Sequence, residues 1–164
     1  MSQIKEIKPL LQVQEVMHIL NNISILAGLD DTQLIEVFRL LERVDYSANE
    51  VVFDQGDKPS YIYIIKKGVI KLYLDNDGTP FELVTFKEGD CFGESSIIGI
   101  CPHAATAVAH TDTELVVLSR SALMNLYESD IYLFTTLILN IAREACRRLN
   151  ASSGTMLRYV NHTI

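Results

Sequence analysis

The chain has 164 residues, 48% of them apolar and 21% charged, which is enough for one domain with a real core and argues against disorder over most of its length. Its formal charge of −7 argues against autonomous nucleic-acid binding, because phosphate backbones are held chiefly by clustered Lys and Arg. No apolar run approaches the ~20 residues that span a bilayer, and Met1 to Leu20 carries charges and glutamines where a signal peptide is uninterruptedly apolar, so no membrane association and a cytoplasmic location are expected.

From about Pro9 to Ala27, apolar residues at Leu10, Val13, Val16, Met17, Leu20 and Ile23 recur mostly at steps of three or four, which predicts an amphipathic helix ended by Gly28. A second helix is predicted from Asp30 or Asp31, with Gln33 placed for a capping box and Leu34, Val37, Phe38 and Leu41 as its buried stripe. After Ser47 the apolar period changes to two, and strands are expected to begin. Ile70, Leu72 and Leu74 alternate with Lys71 and Tyr73, as in a half-buried strand. Gly56, Gly68, Gly78 and Gly89 punctuate the run at about ten- to twelve-residue intervals, the spacing of an all-β sandwich or roll, and Asn76-Asp77-Gly78 reads as a hairpin turn. Val116 to Leu118 end the strand region, and Ser119 or Ser121 can cap the next helix.

Ile131 to Leu149 reads as one long amphipathic helix. Phe134, Leu137, Ile138, Ile141, Ala145 and Leu149 form an apolar stripe, and Thr136, Asn140, Arg143, Arg147 and Asn150 an opposite polar face. Ser152, Ser153 and Gly154 break the pattern, so a loosely ordered tail is expected after it. The three cysteines, Cys91, Cys101 and Cys146, are odd in number and lack CxxC spacing; they are expected in the core or just below the surface rather than in disulfides or a zinc site.

The segment Gly89 to Thr106, GDCFGESSIIGICPHAAT, lies between two strand-like stretches. Gly93-Glu94 forms a turn, and Ser95 to Ile98 can make one helical turn with free backbone N–H groups at its start. Such a turn is either an anion seat or an ordinary roll corner in which glycines allow positive φ. With VVFDQGD (51–57), YIYIIKKGVIKLY (61–73) and the flanking helices, this segment resembles the cyclic-nucleotide-binding domains of catabolite-activator-type regulators and of cAMP-dependent kinase regulatory subunits. Phe92-Gly93-Glu94 and Pro102-His103-Ala104-Ala105-Thr106 align without a gap with that family's phosphate-binding cassette.

The resemblance implies a mainly β fold with flanking helices, a double-stranded β-helix or jelly-roll-like β-roll. It implies one domain over 1–164, with N-terminal helices over 1–45, the roll over 46–119, a cassette-like segment over 89–106, C-terminal helices over 120–150 and a tail over 151–164. Carried over residue by residue, Gly93, after Phe92, and the N–H groups of Ser95 and Ser96 face a cyclic phosphate and Ala104 and Ala105 add backbone donors beside it, while Glu94 accepts from the ribose 2′-hydroxyl and contributes little to stability without it. The implied ligand is cAMP, cGMP or another small anion; no cofactor is fixed by the residues themselves.

His103 stands where the family has arginine. An arginine offers a permanently charged fork, whereas histidine has a pKa near 6.5 and aims one N–H at a given anion. Losing one or two charge-assisted bonds of roughly 1.5–3 kcal/mol each lowers affinity on the order of ten- to ten-thousand-fold. The expected function is therefore a stand-alone regulatory or sensor module with weak or lost cAMP and cGMP binding; the alternative is a degenerate dimerisation or interaction domain that acts through a protein partner. No enzyme is expected, since His18, His103, His110 and His162 are scattered and no Gly-x-Ser-x-Gly elbow occurs. The chain ends before a helix-turn-helix module, so direct DNA binding is not expected. Homodimerisation along the long helix is, with Phe134, Ile138, Ile141 and Ala145 as a coiled-coil-like seam, beside a possible separate effector protein.

Overall fold

Strand pairing organises the chain, and the helices cover one face of what the strands build. The computed structural model describes Lys8, Pro9 and residues 23–162, with side chains from 23 to 151 except that of Asn76. Among the described residues, β1 (Lys8–Pro9) and a 3₁₀ turn (Ser24–Leu26) precede α1 (Asp31–Leu40), β2 (Leu41–Tyr46) and β3 (Val51–Phe53). Then come β4 (Tyr61–Lys67), β5 (Ile70–Asn76), β6 (Thr79–Phe86), β7 (Cys91–Phe92), α2 (Glu94–Gly99), β8 (Thr106–Ala109) and β9 (Thr113–Ser119). Two helices close the order, α3 (Arg120–Ser129) and α4 (Ile131–His162). One antiparallel sheet runs β1-β2-β9-β4-β7 and the other β3-β8-β5-β6.

The runs YIYII in β4 and LVVL in β9 are apolar on both faces, as strands buried from two sides must be. Ile62, Ile64, Val116 and Leu118 face the helices and pack with Leu34, Val37 and Phe38 of α1 and Leu133, Leu137 and Ile141 of α4. The alternate residues Tyr63, Ile65, Leu115 and Val117 face the second sheet, where they meet Phe53, Ile70, Ala107 and Ala109. The protein thus has three layers, sheet on sheet on helices, and the fold class expected from the sequence is the one observed.

The capping box at Asp30 forms as predicted: Gln33 N–H donates to the Asp30 carboxylate at 2.9 Å and Asp30 N–H to the Gln33 amide oxygen at 3.1 Å. Ser119 caps α3 by accepting from Ala122 N–H at 3.0 Å. The hairpin at Asp77-Gly78 joins β5 to β6, with positive φ at both residues.

Several expectations change. Of the first predicted helix, residues 10–22 lie outside the described residues; at its ends Lys8–Pro9 is instead a strand paired with Arg43 and Glu42, and Ser24–Leu26 is a 3₁₀ turn. After α1 the strands resume at Leu41 rather than after Ser47, because Leu41 to Tyr46 pair residue for residue with β9, and this pairing overrides the helical stripe that included Leu41. Of the expected dimer seam, Ile141 belongs to the helix-side core, Ile138 packs against it, and Phe134 meets the Tyr127 ring edge-on at 5.3 Å, so these side chains are engaged within the protomer. The tail is not a break: the backbone of α4 is helical through Gly154 to His162. Asn140 is not on a solvated polar face. It is 4% exposed and its amide donates to the carbonyls of Ile25 and Ala27 at 3.2 and 2.8 Å, tying α4 to the 3₁₀ turn. Of the cysteines, Cys91 is buried, whereas Cys101 and Cys146 are exposed.

Replacing Asn140 with Ala would leave the Ile25 carbonyl without its donor in a buried site, and the Ala27 carbonyl without one in a part-buried site. A loss of about 2–3 kcal/mol is expected, read as a lower urea midpoint at unchanged m-value.

Candidate functional site

The candidate site is built at the corner between β7 and α2. Period-two alternation in β7 sends Cys91 toward the helices and Phe92 into the roll. Gly93 then turns the chain with φ 82°, and a Cβ there would lie 3.0 Å from the Tyr61 carbonyl oxygen and from the Tyr63 ring. Only glycine fits both constraints. The N-cap of α2 is Gly93, which makes no side-chain cap bond.

Glu94 follows and is turned inward, 2% exposed. Its Oε1 accepts from Nη1 of Arg148 on α4 at 2.7 Å, and Arg148 Nη2 also donates to the Cys91 carbonyl. Glu144, one turn earlier on α4, accepts from Arg148 Nε at 3.1 Å, and the guanidinium lies over the Phe86 ring, 4.9 Å from its centroid. Burial pushes the Glu94 carboxyl above its usual range, and the Arg148 charge partly offsets that. The same burial pushes the Cys91 thiol up to about 12, so it stays protonated at neutral pH. Glu94 Oε2 has no hydrogen-bond partner within the protein, which leaves a buried acceptor suited to a hydroxyl donor.

His103 is held as tightly as Glu94. Its backbone is zipped to the loop after β3, His103 N–H donating to Asp57 O at 2.9 Å and Gly56 N–H to His103 O at 2.8 Å. Its ring lies flat on Phe53, centroids 3.6 Å apart and planes 9° from parallel, and the residue is 4% exposed. Burial holds the imidazole below its ordinary value, which favours the neutral ring, and Asp57 acts in the opposite sense. A line of rings runs on from there: Phe53 to Phe92 at 6.0 Å, Phe92 to Tyr63 at 4.9 Å and to Phe86 at 5.8 Å, and so to Arg148.

The structure therefore brings the two halves of the predicted cassette together through Phe53, with Phe92 on one side and His103 on the other. Ser96 and Ala105 are buried, while Ser95 and Ala104 are exposed. Glu94 is an ion-paired structural residue as well as a candidate ligand group, which corrects the expectation that it matters only with a ribose bound. Arg148 was absent from the predicted site. Its signal was present in the sequence: Leu133, Leu137, Ile141, Glu144 and Arg148 share one helical face, and a charge pair closing an apolar stripe marks a buried partner.

A model of the cyclic nucleotide-binding domain matches residues 43–130. The chain belongs to that family. It is 32% identical over 103 residues to a cAMP-dependent protein kinase regulatory subunit of Dictyostelium discoideum, a match covering 62% of this chain and 32% of that protein. This cyclic nucleotide-binding domain thus spans about a third of the relative. A cyclic nucleotide-binding domain from Methylobacillus flagellatus shares the fold at TM-score 0.80 and 21% identity, covering 89% of this chain and 83% of the other. The regulatory subunit of a cAMP-independent protein kinase A from Trypanosoma brucei superposes at TM-score 0.69 and 21% identity over 80% of this chain and 45% of its own.

Two expectations test the electrostatics. Arg148→Met should cost about 3 kcal/mol or more by leaving Glu94 buried without its partner, and adding Glu94→Gln should recover part of it in a double-mutant cycle. For His103 the folded pKa lies below the ordinary 6.5, so the unfolded chain binds the extra proton first. Its contribution to stability is complete above 6.5 and is lost as pH falls through the folded value. Denaturation midpoints followed from pH 7.5 downward should drop less steeply in His103→Gln than in wild type.

Proposed function

We propose that the chain is one regulatory domain of the cyclic nucleotide-binding type, working in the cytoplasm, whose cassette holds cAMP and cGMP weakly or not at all. The carrying observation is the placement of His103: a buried ring stacked on Phe53, where burial disfavours its charged form, in the place of a charged fork. Without that charge a phosphate would be met by backbone N–H groups alone, those of Gly93, Ser95, Ser96, Ala104 and Ala105. The loss of roughly 1.5–3 kcal/mol per charge-assisted bond corresponds to about ten- to ten-thousand-fold in affinity. At the ribose end Glu94 offers Oε2, but its other oxygen is engaged by Arg148, so a sugar hydroxyl must share the carboxylate with the guanidinium. That a fold neighbour is described as the regulatory subunit of a cAMP-independent kinase supports a scaffold able to work without cAMP.

The alternative reading is a degenerate dimerisation or interaction domain that binds no nucleotide and acts through another protein.

Calorimetry decides between the readings. Wild type is expected to show at most weak heats with cAMP and cGMP at pH 7.5, and His103→Arg, checked for folding by circular dichroism, to bind at least tenfold more tightly. No binding by either protein favours the interaction domain. Micromolar binding by wild type, unchanged in His103→Ala, would overturn the proposal.

A further inference from the structure

An arginine in a phosphate cassette is charged at every physiological pH, whereas the histidine that stands here carries charge only when it has taken a proton. Its setting in the fold leaves that proton to be decided by a ligand. Phe53 covers one face of the ring, and His103 is 4% exposed. The two ring planes lie 9° from parallel, so the N–H directions of the imidazole run along the Phe53 face and emerge at its rim. Neither ring nitrogen has a hydrogen-bond partner among the described residues, and neither is sealed from solvent as Glu94 Oε2 is. A polar side chain so deeply buried and unpartnered costs stability unless a group from outside serves it.

The charges around the ring are few. β3 beneath it and β8 after it carry no ionisable side chain. The loop after β3 supplies Asp57, whose charge favours the proton, and the exposed Asp54 and Lys58 beside it. The cassette loop adds the thiol of Cys101, and on β7 and α2 the ionisable groups are Cys91 and Glu94, both engaged by Arg148. The Tyr63 phenol, whose ring lies 5.6 Å from that of Phe53, is held protonated by burial. Asp57 alone does not outweigh the burial of His103. A second negative charge beside the ring acts in the same sense as Asp57 and tips the balance, and the Phe53 face stabilises the cation that results.

We propose that the cassette takes its anion together with a proton carried by His103, so that the domain responds to a cyclic phosphate and to acidity jointly. This rests on the weak-binding reading and gives its cause: near neutrality the proton must be drawn in with the ligand. The proton comes from solvent, binds a ring nitrogen, and the new N–H donates to a phosphate oxygen, with no bond of the ligand changed. A cyclic phosphodiester keeps its single charge throughout, so the proton taken up belongs to the protein. By linkage, the factor by which the anion favours protonation equals the factor by which protonation tightens the anion.

Calorimetry with cGMP from pH 8 to 5.5, the fold being checked at each pH by circular dichroism, tests the coupling. Wild-type affinity should rise by up to about tenfold for each unit that pH falls. Titrations in two buffers of different protonation heat should show close to one proton taken up per ligand on the steepest part of that profile. His103→Arg should bind more tightly than wild type at pH 7.5, with a flat profile and no proton uptake. His103→Gln, a donor that cannot be charged, should bind weakly and equally at every pH. Wild-type binding that does not vary with pH, or a His103→Gln variant that keeps the wild-type slope, overturns the proposal. So does the absence of wild-type binding at pH 5.5. In that case binding by His103→Arg leaves the weakened-cassette reading standing, and no binding by either protein removes both.

Discussion

The central strand pair, Tyr61–Lys67 with Thr113–Ser119, is the constraint on which the rest depends. Both strands carry large apolar side chains on both faces, so neither face can be left in water. One face demands a second sheet and the other demands helices, and the chain supplies both. Burying residues such as Ile62, Ile64, Leu115 and Val116 is worth about 1.5–3 kcal/mol each, far more than the propensity differences that decide an isolated helix or strand. This explains why Leu41 to Tyr46 are extended: an edge of that central pair was open, and six residues of pairing outweighed a helical period that could have continued for one more turn.

The same two-sidedness places the candidate site. Cys91 and Phe92 are adjacent in sequence but belong to different layers, so the corner that follows them touches both. Glu94 is thereby delivered to the helix layer and Arg148, while Phe92 joins the rings that lead to His103. The cassette is consequently not a free loop. It is anchored at one end by a buried ion pair and at the other by an aromatic stack. Buried ion pairs stabilise less than their geometry suggests, because both charges are removed from water, yet breaking one side is costly.

Much of this was legible in the sequence and the illegible part has identifiable causes. The period change, the glycine-punctuated strands, the Asp30 capping box and the turn at Gly93-Glu94 are local signals, set by neighbours within a few residues, and they appear where expected. Arg148, 54 residues from Glu94, is a pairing that no local pattern specifies, though its place on the core-facing stripe was a usable hint. Asn140 misled for the opposite reason: on a helical wheel it reads as polar surface, while its amide in fact satisfies two carbonyls more than a hundred residues away. Ile138 and Ile141 followed the right period but point into the protomer, since periodicity reports that a face is apolar and not which body covers it. Gly154 failed to break α4 because a single glycine costs only about 1 kcal/mol in a helix interior.

The continuity of α4 has a mechanical consequence. Arg148 touches the cassette, and from it the same unbroken helix runs 14 residues further to His162, about 21 Å at the ordinary rise. A helix of that length behaves as a stiff lever whose fulcrum is the Asn140 contact and whose short arm ends at Glu94. From that fulcrum the far end lies about 33 Å away, so a tilt of roughly ten degrees would carry it through about 6 Å. Small changes at one carboxylate are thus geared up, by length alone, into displacements large enough for another molecule to register.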